Sequence, residues 1–313
     1  MAEYVALEHG IYCVDALYVY PQVASIYLLR EGDEIAIIET GTYHSVNNVL
    51  ATLEALNIAN SQVKYVIPTH VHLDHAGGAS EMMRHFSDAS LVIHPRGAVH
   101  MIDPQKLILG TIGVYGEEKF KQLYGTIEPI SEDRIIIAED LACFELSKRE
   151  LLFIDTPGHA RHHFCIYDQV SEGVFSGDTF GVSYAAMKQL RRGLVPTTPP
   201  TQFDPQPLHE SVTRIMSFNP AKLYLTHYGE FTNPAAQVTS FHRWIDAYVE
   251  LCERENPALI SADKAFQTAL GEMILNELDG GDANGEIARI LKTDIRLNAQ
   301  GLAHWWRNKK IDK

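Results

Sequence analysis

The chain has 313 residues, 46% of them hydrophobic, enough to bury a sizeable core and to mark a globular protein. Its formal net charge of −14 repels phosphate backbones, and the densest basic runs, "LRR" at 190–192 and "RNKK" at 307–310, offer no compensating groove, so no nucleic-acid partner is expected. Cys13, Cys143, Cys165 and Cys252 form no C-x-x-C pair and read as reduced, buried thiols; with no leader-like start and no apolar run of membrane-spanning length, a soluble cytoplasmic protein without a membrane partner is expected.

In chain order, "IYCVDALYVY", "ASIYLLR" and "EIAIIET" predict three strands, with "EGDE" turning between the second and third. A helix is predicted over Val46–Leu56. "VKYVIPTH" then reads as a buried strand that ends in a crowd of polar side chains, His70, His72, Asp74 and His75, before "AGGASEMMRHF" turns into a helix. That order suits a site, because side chains at strand carboxyl ends face a crevice while the scaffold below holds them. "SLVIHP" is a further strand, and 97–124 reads as mainly helical, interrupted by Gly110, Gly113 and Gly116.

Short strands return in "RIIIA", "CFELS", "ELLFIDTP", "HFCIYD" and "GVFSGD". This second β-rich block predicts an α/β fold of two sheets packed face to face with helices outside. "LVPTTPPTQFDPQP" carries five prolines and must be irregular, ahead of a helix at Leu208–Phe218. "KLYLTHYGE" is one more strand ending in a histidine, and from Pro234 the pattern is helical. The expected organisation is a catalytic domain at 1–233 and a helical C-terminal extension at 234–313.

Three more polar residues stand at strand or turn ends: His159 in "DTPGHA", Asp178 in "FSGDTF" and His227 in "YLTHYG". With the first cluster they make five histidines and two aspartates, the number needed for two adjacent metal ions sharing one carboxylate. Nitrogen and carboxylate donors without cysteine suit Zn(II), Mn(II) or Fe. Two such cations can share a hydroxide, lower the pKa of its parent water and polarise the bond it attacks. His94, His100 and His242, which stand alone, read as ordinary surface or satisfied polar residues.

The order H-x-H-x-D-H, then G-H, G-D and T-H, resembles the metallo-β-lactamase-fold superfamily of hydrolases over roughly Ile11–Gly229. The resemblance implies an αββα metallo-β-lactamase sandwich, here with a C-terminal helical extension. It implies a first metal at His70, His72 and His159, a second at Asp74, His75 and His227, and Asp178 between them, with Asp74 also carrying protons. Glu39 in "IIETGT" stands where the superfamily usually has an aspartate; one methylene longer, it is expected still to reach a ligand imidazole. Alternation along a strand would point His162 and His163 to opposite faces, so at most one is expected near the site, in a supporting role.

Membership alone does not settle the reaction. The set His72, Asp74 and His75 resembles the hydrolase branches, glyoxalase II and lactonases among them. It implies a di-metal hydrolase using a bridging hydroxide on an ester, lactone or thioester of a small metabolite, with phosphoester cleavage left open as a side activity. The alternative is a mononuclear-iron, persulfide-dioxygenase-like oxidoreductase. Zinc is the expected metal, with iron and manganese as alternatives. Selectivity is expected from two segments, the loop at 183–205, with Tyr184 as a donor to a developing oxyanion, Met187 and Leu190 as apolar lining and Arg191 or Arg192 as anchors, and the helical appendage from Pro234. Phe241, Trp244, Tyr248, Trp305 and Trp306 must bury against the sandwich, over the site or against a second chain, so a homodimer through the C-terminal helices is left open.

Overall fold

The structure, a computed structural model, describes residues 3–189, 193–257, 264–279 and 281–311; Leu190, Arg191 and Arg192 lie outside the described residues. The chain divides into two compact units, one of Met1–Asp155, His162–Gly177 and Asn219–Thr232, the other of Thr156–Arg161, Asp178–Phe218 and Asn233–Lys313.

Two sheets build the first unit, apart from residues 178–182 at the end of one strand, which belong to the second. One holds β1 (Tyr4–Ala6), β2 (Ile11–Asp15), β3 (Ser25–Glu31), β4 (Glu34–Ile38), β5 (Val63–Ile67), β6 (Ser90–Ile93) and β7 (Ile135–Ile137) side by side, antiparallel as far as β4 and parallel from β4 to β7. The other holds β8 (Cys143–Leu146), β9 (Arg149–Asp155), β10 (Phe164–Asp168), β11 (Gly173–Val182), β12 (Lys222–His227) and β13 (Gly229–Thr232), each beside its neighbour in sequence. The helices of this unit are α1 (Val46–Ala55), α2 (Leu73–Ala76), α3 (Ala79–His85), α4 (Pro95–Ile102), α5 (Gln105–Tyr115) and α6 (Glu117–Tyr124).

The period of two along a strand explains the layering. Tyr27 and Leu29 of β3, with Ala36 and Ile38 of β4, face a core shared with Phe153, Phe164, Phe175 and Tyr224 of the second sheet. Ile26, Leu28, Ile35 and Ile37 face the other way, into a core with Val49 and Leu53 of α1, Met82 of α3 and Ala98 of α4. Both faces of β3 and β4 are therefore dry, which is why their sequences run apolar instead of alternating. A buried ion pair also ties this unit together. Arg149, 1% exposed, sets Nε 2.7 Å from Asp168 Oδ1, places its second nitrogen on Oδ2, and donates to the His9 carbonyl at 2.6 Å.

The second unit carries α7 (Ala185–Gln189), α8 (Pro205–Met216), α9 (Ala235–Glu255), α10 (Lys264–Asp279), α11 (Glu286–Ile290) and α12 (Lys292–Ile311). Its aromatic faces are spent internally: Phe241 packs on Phe180 with centroids 5.8 Å apart, and Trp305 meets Phe203 edge-on at 6.2 Å. The proline-rich stretch is pinned rather than loose, since Asn298 of α12 accepts from Thr198 N at 2.8 Å and donates to the Pro196 carbonyl at 3.1 Å.

β1 and β13 were not foreseen from the sequence, and Gly110 and Gly113 lie inside α5 without breaking it; the break falls at Gly116, where φ is 84°. Cys143 is exposed, against the expectation of four buried thiols, because it opens β8 at the end of the second sheet. Among the described residues no helix is long and apolar enough to cross a membrane.

Candidate metal centre

Five of the seven expected donors lie in the first unit, at or just beyond strand ends. β5 stops at Ile67, and Pro68 to His72 run on to α2, whose first turn holds Asp74 and whose last holds His75. His227 ends β12. Asp74, His75 and His227 each offer one donor atom within 4.8 Å of the others. The ring orientations show why. His75 gives Nδ1 to Glu39 Oε1 at 3.0 Å, and His227 gives Nδ1 to the Val23 carbonyl at 2.8 Å. Both rings are thereby held in the tautomer that turns Nε2 toward Asp74 Oδ2, which lies 3.9 Å from His75 and 3.6 Å from His227.

Glu39, 1% exposed, does more than hold one ring. Its Oε1 also accepts from Thr69 Oγ1 at 2.6 Å and Thr226 Oγ1 at 2.9 Å, and its Oε2 accepts the Thr69 amide at 3.2 Å. A hydroxyl has one hydrogen, so Thr69, having donated it, accepts from His70 Nδ1 at 3.1 Å. His70 then presents Nε2, 2.9 Å from His72 Nδ1. One carboxylate thus sets the tautomers of His75 directly and His70 through a relay. The extra methylene of glutamate is no obstacle: Glu39 takes φ of 67° at the end of β4, and the reach to His75 is made. The threonines were missed in the sequence, although a signal was there, since both precede a histidine in the repeated pair Thr-His of "PTH" and "LTH".

Close approach also needs glycine. At Gly177, φ +48°, a Cβ would lie 2.4 Å from His163 Nε2 and 2.5 Å from Thr69 Oγ1, so only glycine lets β11 pass behind the donor loop. The loop before β3 is pinned by Asp15, whose two oxygens accept Leu17 N at 2.8 Å and Gln22 N at 2.7 Å. Burial, the largest influence, raises the pKa of Asp15.

His159 and Asp178 belong to the second unit, where His159 Nε2 lies 3.4 Å from Asp178 Oδ2 and its Nδ1 lies 3.0 Å from Thr197 Oγ1. Tyr184, 5% exposed, donates its single hydroxyl hydrogen to Asp294 Oδ1 at 3.0 Å, a bond that competes with the oxyanion role expected of it. Met187 is fully buried in the same unit.

His94 is satisfied at both nitrogens, accepting Arg96 N at 3.0 Å as the cap of α4 and donating to Asp155 at 2.9 Å. His162 and His163 both come near His70, with centroids 6.2 and 4.9 Å away. The expected alternation fails because β10 begins only at Phe164, so neither residue obeys strand geometry. His100, half-buried on α4, faces His162 at 6.1 Å.

The donor chemistry fits a divalent ion: imidazole Nε2 atoms and a carboxylate oxygen converge, each ring backed by an acceptor at its far nitrogen. Residues 19–227 match the family model of the metallo-beta-lactamase superfamily. The metallo-beta-lactamase fold-containing protein ST1585 of Sulfurisphaera tokodaii is 26% identical over 219 residues, 67% of this chain and 74% of that protein. The human acyl-coenzyme A thioesterase MBLAC2 is 24% identical over 186 residues, 55% of this chain and 64% of its own. The crystal structure of the archaeal ST1585 protein gives a TM-score of 0.67 at 22% identity, covering 94% of this chain and 98% of that one. A family protein of Thermus thermophilus, TTHA1429, gives 0.65 at 18% identity over 97% and 95%. With its order of motifs, its paired sheets and its donor set, the chain belongs to the metallo-beta-lactamase superfamily.

Proposed function

We propose that the chain is a di-metal hydrolase of an ester, lactone or thioester, with His70, His72, His159 and Asp178 donating to one divalent ion and Asp74, His75, His227 and Asp178 to the other. The observation that carries this reading is the convergence of His75 Nε2 and His227 Nε2 on Asp74 Oδ2, with each Nδ1 spent on a fixed acceptor. When bound, two such ions, zinc most directly, supply an activated water and polarise the acyl carbonyl. The chain's own part is to hold the donors. Glu39 keeps His70 and His75 aimed, the Val23 carbonyl does so for His227, and Asp74, at 24% side-chain exposure, is placed to take a proton and pass it to solvent. A thioester is in keeping with the distant likeness to the human thioesterase, and the superfamily is made up mostly of hydrolases.

The test is metal quantification on freshly purified protein, coupled to an ester, lactone, thioester and phosphoester panel, with Asp178→Asn alongside. Two equivalents of metal, chelator-sensitive acyl hydrolysis, and a folded Asp178→Asn protein that has lost it are expected. One iron per chain with oxygen uptake would overturn the reading in favour of the dioxygenase chemistry.

A further inference from the structure

Between β6 and β7 the chain spends residues 94–134 on a parallel crossover, a connection for which about a dozen residues are enough. α4 does the covering work, burying Ala98 and Met101 against the sheet. α5 does not. Five of its eleven residues are Leu, Ile or Val, yet none of the eleven is buried. Ile112 and Tyr115 on its inner side are partly covered where they gather with Phe120 and Tyr124 of α6 over Leu73.

Leu73 stands between His72 and Asp74, so this apolar cluster starts on the donor loop itself. Tyr124 lies near enough to Asp74 for that charge to act on its phenol, and its hydroxyl is spent 2.9 Å from the hydroxyl of Tyr18. The rings of Tyr18, Tyr115 and Phe120 surround Tyr124 at centroid distances of 6.1, 5.9 and 5.7 Å. From Leu107 to Gly116 there is no charged residue, along a helix of about 16 Å. A polar substrate group gains nothing from such a wall, whereas a hydrocarbon chain leaving the donor loop gains its burial.

We propose that this half-covered cluster seats the hydrocarbon tail of an acyl substrate, so that the centre hydrolyses acyl esters or thioesters with medium-length chains; the assignment rests on the hydrolase reading above. Water adds its hydroxyl to the acyl carbon as the C–O or C–S bond breaks, the departing alcohol or thiol takes the water's other proton, and the acid so formed releases its remaining proton to solvent, leaving a carboxylate with an apolar tail.

Metal-loaded protein is given acetyl, butanoyl, octanoyl and dodecanoyl thioesters, and binding of octanoate and acetate is measured by calorimetry. The expected kcat/KM rises about fourfold for each methylene that reaches the cluster. Ile112→Trp, which adds bulk at the partly covered edge of the cluster, should collapse the octanoyl-to-acetyl ratio and the octanoate affinity. Ile112→Ala should lower both by roughly tenfold, and serves if the tryptophan variant misfolds. Leu109→Ser, at a side chain 63% exposed, should leave the ratio alone. Turnover with a flat chain-length profile overturns the inference, as does octanoate binding no tighter than acetate. So does an Ile112→Trp variant that changes only sedimentation, which would give the face to a second copy of the chain. Tight octanoate binding without cleavage of any ester keeps this site and sinks the hydrolase reading.

Discussion

Replacing Glu39 by Gln tests the relay that joins the histidines. Oε1 receives three donors, from His75, Thr69 and Thr226, and Oε2 receives the Thr69 amide. Glutamine can keep its oxygen at the threefold position only by turning its NH2 against the Thr69 N–H, so one donor loses its acceptor and the other bonds lose their ionic partner. Hydrogen bonds to a charged group contribute about 1.5–3 kcal/mol each, and supporting partners of metal ligands are worth about 10- to 100-fold in affinity, or about 1.4–2.8 kcal/mol. Because His75 is held directly and His70 through Thr69, both ions of the proposed centre should loosen by that amount. Thr69→Val removes only the relay, and should weaken the ion at His70 by about tenfold while sparing the one at His75. Competition titration against a chromophoric chelator, with circular dichroism to certify the fold, reads both. A folded Glu39→Gln protein that keeps both ions at wild-type affinity would refute the relay, and so would a Thr69→Val protein that weakens the two equally.

His227→Ala should lose one metal equivalent by elemental analysis, whereas His94→Ala should keep both and lose only about 1 kcal/mol of stability as the cap of α4 goes. Arg149→Met leaves Asp168 buried without its cation and should cost about 3–5 kcal/mol in a urea titration. Burial first, and then neighbouring His209, hold the pKa of His242 below its usual value. With a folded pKa below the unfolded one of about 6.5, this contribution is complete above that pH and is lost as pH falls toward the folded value. Melting temperature should therefore drop on acidification from about pH 7.5 to about 5, less steeply in His242→Leu, and equal slopes would show that the residue plays no part.

Much of the sandwich could be read from the chain because strands buried on both faces run apolar, as "EIAII" does, and because the donors cluster at strand ends. β1 and β13 escaped notice since three or four half-exposed residues such as "YVA" and "GEFT" carry no pattern of their own and are strands only through pairing with β2 and β12. Gly110 and Gly113 misled because glycine's cost in a helix, about 1 kcal/mol, is small enough for the rest of α5 to bear. The relay through Thr69 joins positions thirty residues apart in sequence at Glu39, a proximity created by β4 lying beside β5. Tyr184 carries the opposite lesson. A tyrosine in a plausible loop says nothing about which carboxylate will claim its hydrogen, and here Asp294, 110 residues away, does so.

The two rings that converge on Asp74 are aimed by groups of different permanence. His75 depends on a side chain that a single base change can replace, while His227 depends on the main-chain carbonyl of Val23, which no substitution at that position deletes. Around that carbonyl, Asp15 grips the loop, and Leu17, Val19 and Gln22 hold positive φ while Leu17, Val19 and Tyr20 stay 45%, 52% and 70% exposed. Descendants of this chain are thus free to rewrite the rim at 17, 19 and 20 without disturbing His227, whereas drift at Glu39 would reach the donors at once. Change at this exposed stretch and loss of the aimed histidines start from separate mutations.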